Sequence, residues 1–284
     1  MKTYYMGRFA IDVPVEFKLA VQSHRFRLVE IEEYSDIQDA DQKWRNHLAK
    51  VEKMQKPKGV NKIVIKVQQF EAMGKWAKGV LYYSDYMTDK ECNWDILVSY
   101  GSSAALFALK GRLDKQQSML DWLQVVSRAY RPALGQRSVR SGQFHTKQGL
   151  IELPYKRQEN TYARFEGPEE MVLRLDIRET HKVEEAGVMD RLAASLAVNF
   201  APGVDVDKIR AGKRTVSGLA GQEIVTRLSD KEGKELFFAW DYQGKEDSGE
   251  HPEIKIGIEC PDGNISEKLE LWDKVVNSLR LASK

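Results

Sequence analysis

The chain has 284 residues, 42% hydrophobic and 30% charged, with a net charge of +2, which is globular composition and excludes a disordered or fibrous protein. No apolar run approaches the ~18 residues of a membrane span, and no face concentrates base as nucleic-acid binding demands. The near-neutral total conceals two halves of opposite sign: residues 1–140 carry 23 Lys+Arg against 16 Asp+Glu, and residues 141–284 carry 21 against 26.

Taken in order, Met1-Lys-Thr-Tyr-Tyr-Met lacks the 7–15-residue apolar stretch of a secretory signal, which fits a cytoplasmic protein or a mature exported one. Gly7 to Pro14 (GRFAIDVP) is a short apolar strand ended by proline. Phe26 to Ile31 (FRLVEI) alternates as one half-buried strand should. Asp36 or Asp39 then caps a helix to about Met54, with Trp44, Leu48 and Val51 on one face. Pro57-Lys-Gly59 ends it and a hairpin starts at Lys62. Strands at Asp95 to Tyr100 and Ala105 to Lys110 follow, then an amphipathic helix from Lys115 to Tyr130 burying Met119, Trp122, Leu123 and Val126.

Arg131 to Gln148 is rich in Gly, Ser and base and reads as a linker, with or without a short entry strand. Beyond it, strands are expected at Met171 to Ile177, Glu235 to Tyr242 and Ile254 to Glu259, with helices at Glu184 to Phe200 and after a Ser266 cap.

The second half thus repeats the first. Lys62 to Asp85 and Lys208 to Asp230 are both strand, Gly-containing turn, strand. Trp122, Val125 and Val126 recur as Trp272, Val275 and Val276, each 150 positions later, and GRFAIDVP is echoed by GLIELP at Gly149 to Pro154. The expected fold class is α+β: two similar domains, each a mostly antiparallel sheet packed with about two helices, arranged around a cleft. The expected division is 1–132, a linker at 133–148, and 149–284.

Signatures of chemistry are weak. Gly101-Ser-Ser-Ala-Ala105 lacks the second glycine of a nucleophile elbow. The five histidines are scattered and neither Cys92 nor Cys260 has a CxxC partner, so the expectation is no enzyme, no metal and no cofactor, with two ordinary thiols. A disulfide between them stays open, since only an oxidising compartment would allow it. Gly218-Leu-Ala-Gly221 precedes strand-like residues and reads as a hairpin turn, not a phosphate loop.

Aromatic residues are more suggestive of a protein partner, because Trp and Tyr are enriched at interface hot spots. Candidate contact residues are Trp76, Tyr83, Tyr86 and Trp94 in the first half, and Gln222, Tyr242, Glu246, Asp247 and Glu250 in the second. They sit in two hairpin loops, Met73 to Trp76 and Leu219 to Gln222, on the aromatic strands, and in the acidic loop Gln243 to Glu250, which could meet a basic surface.

Ser217-Gly-Leu-Ala-Gly-Gln-Glu223, Phe238-Ala-Trp240, the His251-Pro252 turn and the closing Leu271-Trp-Asp…Ser278-Leu-Arg280 resemble the C-terminal domain of the immunity proteins of type VI secreted lipase effectors, and Gly7 to Pro14 resembles that family's N-terminal domain. The resemblance implies a two-domain periplasmic inhibitor that neutralises a cognate phospholipase of α/β-hydrolase fold, gripping it with both domains and blocking its lid or substrate access. It also implies an export signal or lipid anchor on a precursor; the lack of a concentrated basic face separately gives the expectation of no nucleic-acid partner. The matching positions are glycines, prolines and apolar residues, so the resemblance carries no contact residue with it. The alternative from the residues is a small-ligand or lipid-binding module using the interdomain cleft.

Overall fold

A computed structural model describes all residues except 36, 38, 134–141, 184–204, 232 and 283–284. The helix expected at Glu184 to Phe200 and the Asp36 cap lie outside the described residues.

The strands and helices run β1 (Lys2–Met6), β2 (Phe9–Val13), β3 (Lys18–Phe26), β4 (Val29–Tyr34), α1 (Ala40–Glu52), β5 (Val64–Phe70), β6 (Trp76–Tyr83), β7 (Glu91–Ser99), β8 (Ala104–Arg112), α2 (Gln116–Ala129) and β9 (Tyr130–Pro132). They continue with β10 (Phe144–His145), β11 (Gly149–Ile151), β12 (Glu159–Glu166), β13 (Val172–Arg178), β14 (Asp205–Val216), β15 (Leu219–Ser229), β16 (Lys234–Tyr242), β17 (Glu253–Pro261), α3 (Ile265–Asn277) and β18 (Arg280–Leu281). Every described pairing is antiparallel, so the fold is α+β.

Contacts group the chain into two compact units that do not follow the expected boundaries. A split unit joins Met1–Ser23 to Tyr155–Lys284; an inserted unit takes the described residues of 24–138 and 143–154. The reason lies in strand pairing. Hairpin β1–β2 lays β2 against β18, with Ala10 opposite Arg280 and Phe9 opposite Leu281. The opening strand therefore belongs with the second half of the sequence, not the first. The corresponding hairpin β10–β11 pairs through β11 with β9 in the inserted unit, Ile151 opposite Tyr130, so the expected linker contributes strands rather than a free tether.

Within each unit the topology is the same. The inserted unit orders its sheet β3-β4-β8-β7-β6-β5 and the split unit β12-β13-β17-β16-β15-β14. Each adds a three-stranded sheet, β10-β11-β9 or β1-β2-β18, and a helix after its last long strand. The repeat legible in sequence is thus a repeat of fold. It is not exact in packing: Trp272 is 0% exposed in the core, whereas Trp122 is half-buried and donates its indole N–H to the Arg27 carbonyl at 3.2 Å.

Among the described residues the split unit has one core, in which Trp272, Val275 and Val276 of α3 meet Leu236, Phe238 and Trp240 of β16 and Phe9 and Ile11 of β2. The inserted unit has two, one on each face of its sheet. Met119, Leu120, Leu123 and Val126 of α2 close the first, and Trp44 and Val51 of α1 close the second over Val80, Leu97 and Leu106. Burying each such side chain stabilises by roughly 1.5–3 kcal/mol. Asp39 caps α1 by accepting from the Gln42 N–H at 2.8 Å. α3 begins at Ile265 behind Asn264, whose φ of +48° makes no side-chain cap, so Ser266 lies inside the helix and does not cap it.

The single strand expected at Phe26 to Ile31 is two strands and a turn. Phe26 pairs with Val29 across Arg27 and Leu28, whose φ values are +50° and +69°. A two-residue hairpin of this hand normally takes Asn-Gly; here two bulky residues occupy it, and alternation alone could not reveal the reversal. Likewise Leu219 to Gln222 is not a loop. The turn is Ser217-Gly218, Val216 pairs with Leu219, and Leu219 begins β15.

Two carboxylates of the split unit, Asp12 on β2 and Asp273 on α3, are tied by arginines. Asp12 accepts from Thr3 at 2.7 Å and from Arg280 at 3.0 and 3.1 Å; burial pushes its carboxyl up, but the Arg280 and Thr3 hydrogen bonds outweigh that and hold it below the ordinary 3.8. On α3, burial likewise raises Asp273, and Arg210 and Arg214 more than offset it, again lowering the carboxyl. A folded-state value below the unfolded one gives stability that is complete above pH ~4 and is lost as pH falls through the folded value. The urea midpoint is therefore expected to hold from pH 7 down to about 4 and drop below it. Comparison of Asp12→Asn/Asp273→Asn with the parent at pH 7 and pH 3 checks this: the double variant should lose part of the drop.

Candidate functional site

The sequence candidates separate on burial. Trp94 is 2% exposed, with its indole N–H donating to the Gln116 carbonyl at 3.1 Å, and Tyr242 is 8% exposed with its hydroxyl 3.2 Å from His251 Nδ1. Both are interior residues and offer no surface to a partner. Strand alternation could not settle which aromatic side faces inward, since β7 is buried on nearly every residue.

Trp76 and Tyr83 are half-buried at opposite ends of β6, about 23 Å apart along an eight-residue strand. Trp76 carries Lys78 over its ring at 5.1 Å. Tyr86, at 56% exposure, projects with Met87 at 78% from the β6–β7 turn. That turn is organised by its own side chains: Asp85 accepts from the Met87 N–H at 2.8 Å and Thr88 from the Lys90 N–H at 3.2 Å. An aromatic and a thioether held outward on an ordered turn are well suited to anchor a contact.

In the split unit, Gln222 is half-buried on β15. The acidic loop between β16 and β17 is pinned rather than free. Thr180 donates to the Gln243 carbonyl at 3.1 Å and its own carbonyl accepts from the Asp247 N–H at 3.1 Å. Gly244 takes φ +80° against the Thr180 hydroxyl and Glu253, where a Cβ would collide. Glu246, Asp247 and Glu250 all face solvent, though Asp247 is paired with Arg157 at 2.5 Å and Glu246 accepts from the Val183 N–H at 3.4 Å. Glu179, His181 and Asp247 bring donor atoms within 4.8 Å of one another. Their acids already receive the Gln158 N–H, the Tyr155 hydroxyl and Arg157, so this group is an ionic clasp on the loop. The Tyr155 hydroxyl is pushed up to about 12 by its burial and by Glu179.

The sequence reading missed a third feature. On the α1 face of the inserted unit a cavity of about 470 Å³ opens beyond the helix end, lined by Arg25, Leu28, Glu30, Met54, Tyr82, Ser84, Asn93, Asp95, Ala108 and Lys110. Asp95, 2% exposed, accepts from His47 Nε2 at 2.8 Å, from the Tyr82 hydroxyl at 3.1 Å and from the Asn93 amide. Burial and the neighbouring Asp95 raise the Tyr82 hydroxyl, which therefore stays a donor. A signal was present: Asn93-Trp94-Asp95 recurs as Ala239-Trp240-Asp241, each an inward Trp followed by a buried acid on the other face. The two cysteines are buried free thiols, and burial pushes Cys92 up to about 11.

Two copies of one six-stranded antiparallel unit, each with a helix after its last long strand and a completing hairpin, define a duplicated α+β fold. Residues 145–284 match the family described as the Tle cognate immunity protein 4 C-terminal domain. Among solved structures, the immunity protein TplEi of the type VI secretion system from Pseudomonas aeruginosa, in its apo form, superposes with a TM-score of 0.79 at 20% identity, over 99% of this chain and 97% of that one. A chain of the Tle4–Tli4 complex gives 0.80 at 21% identity over 99% and 98%. TplEi bound to an "L" peptide gives 0.75 at 20% identity, over 99% and 98%. At this identity the likeness establishes the fold. No curated protein matches in sequence.

Proposed function

We propose that this chain is an immunity protein that binds and inhibits a cognate type VI secreted phospholipase effector, without chemistry of its own. The observation that carries the reading is the family match over residues 145–284, and the fold it shares with a chain of an effector–immunity complex supports it. In this reading the two units grip the lipase and block its lid or substrate entry, using Tyr86, Trp76, Tyr83, Gln222 and the acidic loop as contacts. Tight inhibition needs a total interface of roughly 1,600 Å², more than one turn supplies. The setting is the periplasm, where the effector acts. Among the described residues no helix is long and apolar enough to cross a membrane.

The test is to titrate the chain against the lipase encoded beside its gene, following phospholipase activity and complex formation together. Inhibition is expected to be complete at a fixed molar ratio, with a stable complex on gel filtration. Full lipase activity at excess chain, with no complex, would end the pairing. The lipid-binding alternative gains nothing from the cavity in the inserted unit, whose floor is a carboxylate, a phenol, an amide and a hydroxyl rather than the apolar lining that a lipid tail requires.

A further inference from the structure

The cavity beside Asp95 has a charge pattern of its own. Both cations at its mouth are held by carboxylates, Arg25 by Glu30 at 2.6 Å and Lys110 by Glu91 at 2.8 Å. Asp95 at the floor receives the hydroxyl of Tyr82, the amide of Asn93 and His47, which is charged only when protonated. Counting Arg25 and Lys110 against Glu30, Glu91 and Asp95 leaves one negative charge, and it is the buried one. α1 also ends here: Met54, two residues past Glu52, is a lining residue, so the negative end of the helix dipole points toward the space.

The walls suit an amphipathic guest. Leu28 and Met54 flank the mouth at 46% and 42% exposure, and the Ser84 hydroxyl oxygen is buried with no hydrogen-bond partner among the described residues. Leu28 is held outward at φ +69° next to Arg27 at +50°, backbone that a side chain with a Cβ adopts at a cost. Arg27 is locked in place by stacking on Phe26 and Trp122, each at 5.0 Å. Strain that displays an apolar side chain to solvent is the kind that persists at binding sites.

We propose that this cavity receives an organic cation, a guanidinium or primary ammonium on a flexible apolar stem, with Asp95 as counter-ion, Ser84 as a further hydrogen-bond partner and Leu28 and Met54 covering the stem. In the effector complex the guest is an arginine or lysine side chain of the bound protein; that part rests on the function proposed above, while the cation site does not.

Calorimetric titration of the full chain with butylguanidine, against butylurea as its neutral match, tests the site. Butylguanidine should bind and butylurea should bind at least tenfold more weakly. Asp95→Asn should abolish the difference. Because Asp95 is buried and that change can perturb folding, Ala108→Leu serves as a second variant: it fills the cavity from a partly exposed strand position and leaves the Asp95 hydrogen bonds intact, and should cost butylguanidine at least tenfold. Equal binding of the two probes, or butylguanidine binding unaffected by Ala108→Leu, overturns the site. With the lipase, butylguanidine should compete and Ala108→Leu should weaken the complex; a complex indifferent to both rejects the partner side chain as guest. A lipase that does not bind the parent chain at all refutes the effector reading alone, since calorimetry still decides the cation site.

Discussion

Replacing Glu159 by alanine is expected to lower the stability of the split unit by about 3–5 kcal/mol, the usual loss when one member of a buried ion pair is removed and the other is left behind. Arg8 occupies the second place of the Gly7-Arg8 turn between β1 and β2, where Gly7 at φ +60° lets the chain reverse. Its guanidinium reaches Glu159 on β12 in a bidentate pair, Nε to Oε2 and Nη2 to Oε1, both at 2.7 Å. The side chains are 11% and 7% exposed, so water cannot replace the lost partner. Arg8 also stacks over Tyr155 at 5.7 Å, and its carbonyl accepts from the Ala282 N–H at 2.9 Å. The pair fastens the first hairpin to strands far along the sequence. Urea unfolding checks the magnitude, and hydrogen exchange checks the place: protection should fall in β12 to β18 together with β1 and β2. Uniform loss of protection in β4 to β8 as well, to the same extent, would contradict the assignment of that hairpin to the split unit.

Trp272→Ala should cost a similar 3–5 kcal/mol, and the comparison with Trp272→Phe separates its causes. The indole is 0% exposed, its ring centroid lies 5.7 Å from that of Phe238, and its N–H donates to Glu223 Oε1 at 2.6 Å. Glu223 is itself 6% exposed and accepts from Arg210 at 3.0 Å and from Arg214; both arginines also reach Asp273 on α3. Phenylalanine keeps most of the ring contact and loses the charged hydrogen bond, worth about 1.5–3 kcal/mol. Phe should therefore fall between the parent and Ala in urea midpoint. If Phe equals Ala, the hydrogen bond dominates; if Phe equals the parent, the Arg–Glu–Trp network adds nothing to stability.

These residues also show where sequence reading succeeds and stops. The period of α2 and α3, the Asp39 cap and the 150-residue offset of the Trp-x-x-Val-Val motif were legible because each is local or exactly repeated. The pairing of β2 with β18 was not, since nothing in GRFAIDVP distinguishes a strand that closes its own half from one that closes the other. The reversal at Arg27-Leu28 was hidden because its residues are poor turn formers, kept there by Trp122 and Phe26. Among the contact candidates, exposure of Tyr86 and of the acidic loop could be guessed from turn chemistry, whereas the interior placement of Trp94 and Tyr242 depends on which helix covers which sheet face. The Asp95 cavity needed five strands and the end of α1 brought to one place, a convergence no linear pattern records.

The nesting of one unit inside the other sets an order of events during synthesis. The inserted unit has all its strands once Pro154 has left the ribosome, and can close while the rest is still being made. Hairpin β1–β2 is made first yet has no sheet to join until β18 arrives, so its apolar residues Phe9, Ile11 and Val13 wait through nearly the whole of translation. A chain interrupted before Arg280 would leave that hairpin unpaired and available to chaperones or proteases. Joining β2 to β18 makes completion of the split unit wait on the synthesis of strands about 270 residues apart.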